Sequence, residues 1–148
     1  MPLGNVYYYF KTKDELAGAV IRERRDELQA LFSHCEQGQN PKQRLNRFLD
    51  AVVARGGDTV RYGCPVGGLC QELNKDDGKL AEQAAVLLAQ TLAWVIAQFN
   101  ALGCKEAVSL AQHVVATLHG ASLLANTMGK TSIIEDEVRR LRELIAAL

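Results

Sequence analysis

Leu3-Gly4-Asn5-Val6-Tyr7-Tyr8-Tyr9-Phe10-Lys11-Thr12-Lys13-Asp14-Glu15-Leu16 is the stretch on which the fold turns. Val6 to Phe10 are five β-prone residues in a row, and propensity alone makes them a strand. No second stretch offers a partner strand, and an isolated strand is not stable in water. Read as a short helix, Val6 and Phe10 fall four apart and face inward, while Gly4, Asn5 and Tyr8 project the other way. Thr12, or Lys13-Asp14-Glu15, then supplies the polar and acidic start of a following helix.

Beyond this segment the apolar residues recur at helical spacing. Leu16, Val20, Leu28, Leu31 and Phe32 predict a helix from Thr12 to His34. Gly38, Asn40 and Pro41 mark a turn, and Leu45, Phe48, Leu49 and Val52 predict a second helix from Pro41 to Arg55, stopped by Gly56-Gly57-Asp58. Tyr62 to Gly68 reads as loop, followed by a short segment from Leu69 to Leu73. Long helices are predicted over Lys79–Leu102 and Lys105–Met128, the second rich in small residues (Gly120, Ala121, Ser122, Ala125) that let a neighbouring helix come close. In the last helix, Ile133–Ala147, Ile134, Val138, Leu141, Ile145 and Leu148 form a narrow seam suited to helix-on-helix packing. The fold class expected is all-α.

Composition narrows the function classes. The chain has 148 residues, enough for one domain with its own core, and 48% are hydrophobic, which excludes wholesale disorder. Lys plus Arg and Asp plus Glu are 17 each, so any contact with nucleic acid has to be local. Met1 to His34 carries five basic and five acidic side chains and has no positive excess of its own. No run approaches the roughly 18 to 20 apolar residues of a membrane span, so no membrane partner is expected. Cys35, Cys64, Cys70 and Cys104 form no C-x-x-C pair and read as reduced thiols in the cytoplasm.

The opening segment closely resembles the end of the helix-turn-helix of TetR-family transcriptional regulators. That pattern is a Gly, a polar residue, an aliphatic, Tyr, two aromatic or His residues, Phe, and a turn with Lys, an acid and Leu, and every position is matched here. Gly63-Cys64-Pro65-Val66-Gly67-Gly68-Leu69 is similar to one subgroup of the family's regulatory domains. The resemblance implies residues 1–12 as the C-terminal part of a DNA-binding headpiece and 13–148 as a ligand-binding and dimerising domain. It places Leu3, Gly4 and Asn5 on a base-reading surface, and Tyr7, Tyr8, Tyr9 and Lys13 as contacts to the DNA backbone. A partly core position for Tyr7 and Tyr9 is the alternative. The implied partners are operator DNA, an unknown small-molecule effector, and a second copy held through the last two helices. The family's headpiece has two helices ahead of the recognition helix, and none precedes it here. The expectation is therefore a truncated repressor that keeps dimerisation and ligand binding but binds DNA weakly.

Candidate chemistry in the remainder is sparse. Cys64 sits beside the first turn of a helix, where the helix N-terminus favours a thiolate, and could act as a redox or electrophile sensor. A small buried hydrophobe is the alternative. Cys70 could serve as its resolving thiol, whereas Cys35 and Cys104 have nothing to recommend them. Trp94, Phe99 and His113 are candidate pocket walls for the effector, with plain core as the alternative. His113 and His119 are six apart, off the i, i+4 spacing of paired ligands, and no Cys/His spacing fits zinc, so neither metal nor cofactor is expected. The Gly67-Gly68 pair lacks the Lys-Ser/Thr of a phosphate cradle. No catalytic constellation stands out and an enzyme is not expected. A helical homodimeric small-molecule-binding module without DNA function is the other class the sequence allows.

Overall fold

The computed structural model describes residues 8–148, so Leu3, Gly4, Asn5 and Tyr7 lie outside the described residues. Among the described residues there is no strand, and from Lys13 onward seven helices follow one another: α1 (Lys13–Glu36), α2 (Pro41–Ala54), α3 (Gly56–Tyr62), α4 (Pro65–Asn74), α5 (Lys79–Ala101), α6 (Ala107–Met128) and α7 (Ser132–Ala147). Tyr8 and Tyr9 are helical despite their β propensity.

Local chemistry explains where α1 and α2 begin and where α6 ends. The Thr12 hydroxyl accepts the Glu15 backbone N–H at 3.1 Å, and the Glu15 carboxylate reaches back to the Lys11 N–H at 2.8 Å, a variant of the capping box. Asn40 caps α2 in the same way at 3.0 Å, with Pro41 in the first helical position. Gly129, at φ +67, closes α6.

The glycine pair after α2 does not end helical structure, contrary to the expectation from Gly56-Gly57-Asp58. The chain turns at Arg55 and α3 starts at once, with the Thr59 N–H bonded to the Arg55 carbonyl at 2.9 Å. Gly56 is buried, and a Cβ there would lie 3.9 Å from the Thr131 side chain. The glycines mark a change of direction rather than a stop. α3 ends at Gly63, whose φ of +82 suits glycine, and Asn126 on α6 donates to the Val60 carbonyl at 2.9 Å.

Two clusters of buried residues hold the helices together. The larger gathers Leu45, Phe48 and Leu49 of α2, Val95 and Phe99 of α5, the inner face of α6, and Ile134, Val138, Leu141 and Ile145 of α7. The α7 seam is therefore spent inside the chain. The smaller joins Ile21 of α1 to Ala84 and Leu87 of α5, with Val66, Leu69 and Leu73 of α4 packed against them. α5 and α6 are long and apolar enough by length and composition to cross a membrane, which corrects the expectation that no stretch comes near. In the fold their apolar inner faces supply Leu87, Val95, Phe99, Val114 and Leu118 to the two clusters.

Cys35 is fully buried at the end of α1, and that burial pushes its thiol from 9.0 up to about 11 against the opposing pull of Arg47. A raised acid pKa means that folding disfavours the thiolate. The associated stability is complete below about pH 9 and is lost as pH rises toward about 11, a loss on the order of 2 kcal/mol. Urea midpoints taken at about pH 8 and again above pH 10 check this, since the wild type should lose more than Cys35→Ala. Equal losses in the two proteins would contradict it.

Candidate functional site

Where the two clusters meet, the helices leave a cavity of about 130 Å³. Its wall is mostly aliphatic and aromatic, from Leu28 and Leu31 of α1, Phe48 and Val52 of α2, Val66 of α4, Leu88 of α5, and Val115 and Leu118 of α6. Apolar cavities of roughly 150 Å³ accept benzene-sized molecules, so the space suits a small, mainly apolar compound. Few polar groups reach the wall. The hydroxyls of Thr91 and Ser122 are already committed to the carbonyls of Leu87 (3.0 Å) and Leu118 (2.8 Å) one turn back. Arg55 is drawn toward Glu27 at 3.7 Å.

The remaining polar side chains on the wall are the buried Thr59 and the pair Cys64 and His119. Cys64 is the N-cap of α4 and its sulfur accepts the Gly67 backbone N–H at 3.3 Å. His119, 55 residues away on α6, places Nδ1 3.6 Å from the same sulfur. Burial pushes the thiol up, but the His119 hydrogen bond, the Gly67 N–H and the imidazole charge together outweigh it. The net effect holds Cys64 below the ordinary thiol range. Both side chains also border an outer groove of about 640 Å³ with Tyr62, Leu123 and Asn126, so the pair stands between the cavity and the surface.

Gly67 permits this approach. A Cβ at that position would lie 3.0 Å from His119 Nδ1 and 3.4 Å from the Cys64 sulfur, whereas a Cβ at Gly68 would meet nothing within 4 Å. The two glycines, which the sequence does not tell apart, thus have different roles. His119 was also missed, because its partner lies on another helix and no local spacing points to it. Cys70 is no partner for Cys64: its S–H donates to the Ala84 carbonyl at 3.2 Å, and burial raises its pKa.

Of the pocket candidates, Cys64 lines the cavity and Trp94, Phe99 and His113 do not. The Trp94 ring stacks on Phe32 with centroids 5.2 Å apart, tilts against Phe48, and donates Nε1–H to Glu36 at 2.8 Å. Phe99 is wholly buried in the larger cluster, and His113 is exposed on the outer face of α6. Both residues are therefore reassigned: Phe99 to core, because it lies about three turns beyond Leu88 along the same face of α5, and His113 to surface, because its face of α6 turns away from the cavity.

At the N-terminal end, Tyr8 and Tyr9 are 79% and 65% exposed with their rings edge to face at 5.2 Å. Lys13 is exposed at the start of α1. Lys13 and Asp14 share a groove of about 260 Å³ with Glu72 and Asp76 at the far end of α4. α4 therefore runs from Cys64 at the cavity to the base of the segment that resembles a recognition helix.

No family model matches the chain. It is similar to an "Uncharacterized HTH-type transcriptional regulator in lacX 3'region" of Lactococcus lactis subsp. lactis. The two are 28% identical over 148 residues, an alignment that covers 94% of this chain and 74% of that relative.

Proposed function

We propose that the chain is the effector-binding body of a helix-turn-helix transcriptional regulator of TetR type, acting without enzymatic chemistry on DNA in the cytoplasm. The observation that carries this reading is the apolar cavity bounded by α1 to α6, in a chain whose sequence opens with the recognition-helix pattern. The similarity to a relative described as an HTH-type transcriptional regulator supports it.

In this reading Leu3, Gly4 and Asn5 meet base edges, while the exposed Tyr8 and Tyr9, with Tyr7 and Lys13, hold phosphates. An effector that fits the cavity better in one conformation than another shifts the population toward it. α4 is the element suited to transmit that shift, since its N-cap touches the cavity and its last turn borders Lys13 and Asp14. Two copies pair so that their reading segments meet successive major grooves, and repression is the output.

Selection of DNA fragments from the source genome, by protein isolated from its own cells, tests this function. Recovered fragments should share a two-fold symmetric site, and their retention should fall steeply with salt as phosphate contacts release counterions. Recovery no better than bulk DNA, or retention indifferent to salt, would contradict DNA binding and favour a binding module without it.

A further inference from the structure

We infer that Cys64 and His119 form a covalent trap for small α,β-unsaturated carbonyl compounds that enter the cavity. Nothing in the proposed regulatory role assigns this pair a task, although the regulatory consequence of trapping rests on that role.

Three features converge on one sulfur. It is the N-cap of α4 and takes the Gly67 N–H, so backbone dipoles favour negative charge there. His119 Nδ1, at 3.6 Å, is placed to take the thiol proton. The same two side chains face an apolar space of about 130 Å³, large enough for a short enone or a single unsaturated ring. Arg55 is the charged side chain on that wall, and it lies toward Glu27. An oxidant sensor would call for a second thiol to close a disulfide, and the Cys70 S–H is turned to the Ala84 carbonyl. Addition of an electrophile needs only one sulfur.

The step balances without an oxidant or reductant. His119 accepts the proton of the Cys64 S–H, and the thiolate sulfur bonds to the β-carbon of the enone. The C=C π pair moves to the carbonyl side as an enolate. The imidazolium then returns the proton to the α-carbon, leaving a thioether and a saturated carbonyl. The adduct stays in the cavity wall at the start of α4, where it replaces the N-cap hydrogen bond from Gly67 and lodges its carbon chain among the aliphatic side chains.

The test is the rate of labelling of each cysteine by methyl vinyl ketone, read by peptide mass spectrometry on the folded 148-residue chain without DNA. Cys64 is expected to react at least about tenfold faster than Cys70 or Cys104, with a rate that rises at lower pH than that of Cys70. His119→Leu should slow Cys64 by at least about tenfold and move its pH midpoint upward, since base and partner charge are both lost. Gly67→Ala, which displaces the imidazole but keeps both reactive groups, should slow it as well, and Gly68→Ala should leave it unchanged. Equal labelling of the partly exposed thiols, or a Cys64 rate indifferent to both His119→Leu and Gly67→Ala, would overturn the trap. Because DNA takes no part, such a failure would leave the regulatory proposal standing and is distinct from a failure to select DNA.

Discussion

Phe99→Ala is expected to cost about 3–5 kcal/mol of folding stability while leaving the reactivity of Cys64 in the folded protein unchanged. The ring is fully buried in the larger cluster with Val95 before it on α5 and Val114 and Leu118 across on α6. A cavity left at such a site cannot be relieved by solvent, and α7, which packs on both α6 and α2, restricts their collapse into it. Against a typical total of roughly 5–15 kcal/mol, the loss brings the protein close to unfolding at room temperature. Urea midpoints measure it. Trp94→Phe is the matched comparison. It keeps an aromatic ring between Phe32 and Phe48 but removes the N–H bonded to Glu36, and about 1 kcal/mol is expected. A loss below about 1 kcal/mol for Phe99→Ala, or a changed Cys64 labelling rate, would return Phe99 to the cavity wall.

The second large effect concerns pairing of two copies. The apolar seam of α7 is buried within the chain, and its outer face is laced with ion pairs of Asp136, Glu137, Arg139, Arg140 and Glu143. The outer face of α6 differs, with Leu123 61% exposed beside the exposed Leu124 and Met128, and Gly120 open to close approach. Isolated apolar side chains on a surface are ordinary, but three on one helical stripe next to a glycine offer a self-complementary face. Leu123→Glu combined with Leu124→Glu should raise the dimer dissociation constant at least about a hundredfold, close to 3 kcal/mol, without loss of helix content. Light scattering at micromolar concentration should then fall from twice 16.2 kDa to 16.2 kDa. A wild-type protein already at the lower mass, or a double variant still paired, would contradict dimerisation through this face.

The helices could be read from the sequence wherever period and punctuation agreed. Thr12 caps α1 where a helix start was expected, and the turn expected at Asn40-Pro41 supplies the cap of α2, because capping is decided by a few adjacent residues. The short α3 was hidden, since Gly56-Gly57 resembles a terminus locally. The Asn126 bond and the approach of Thr131 that stabilise α3 come from far along the chain. The same distinction governs the candidate site. Cys64 at a helix start is a local feature and was found. His119 is visible only once α6 crosses α4, and Gly67 matters only because that crossing is tight. Trp94, Phe99 and His113 have the residue types of a pocket wall, and type alone does not say which side or which turn of a helix meets the empty space.

The most direct measurement follows the occupancy of a selected DNA fragment while methyl vinyl ketone is added to the protein isolated from its own cells. The wild type should release the DNA in step with the appearance of the Cys64 adduct, and Cys64→Ala should remain bound at the same dose. Undiminished occupancy at full Cys64 modification, or equal release by Cys64→Ala, would contradict control of DNA binding from this cavity.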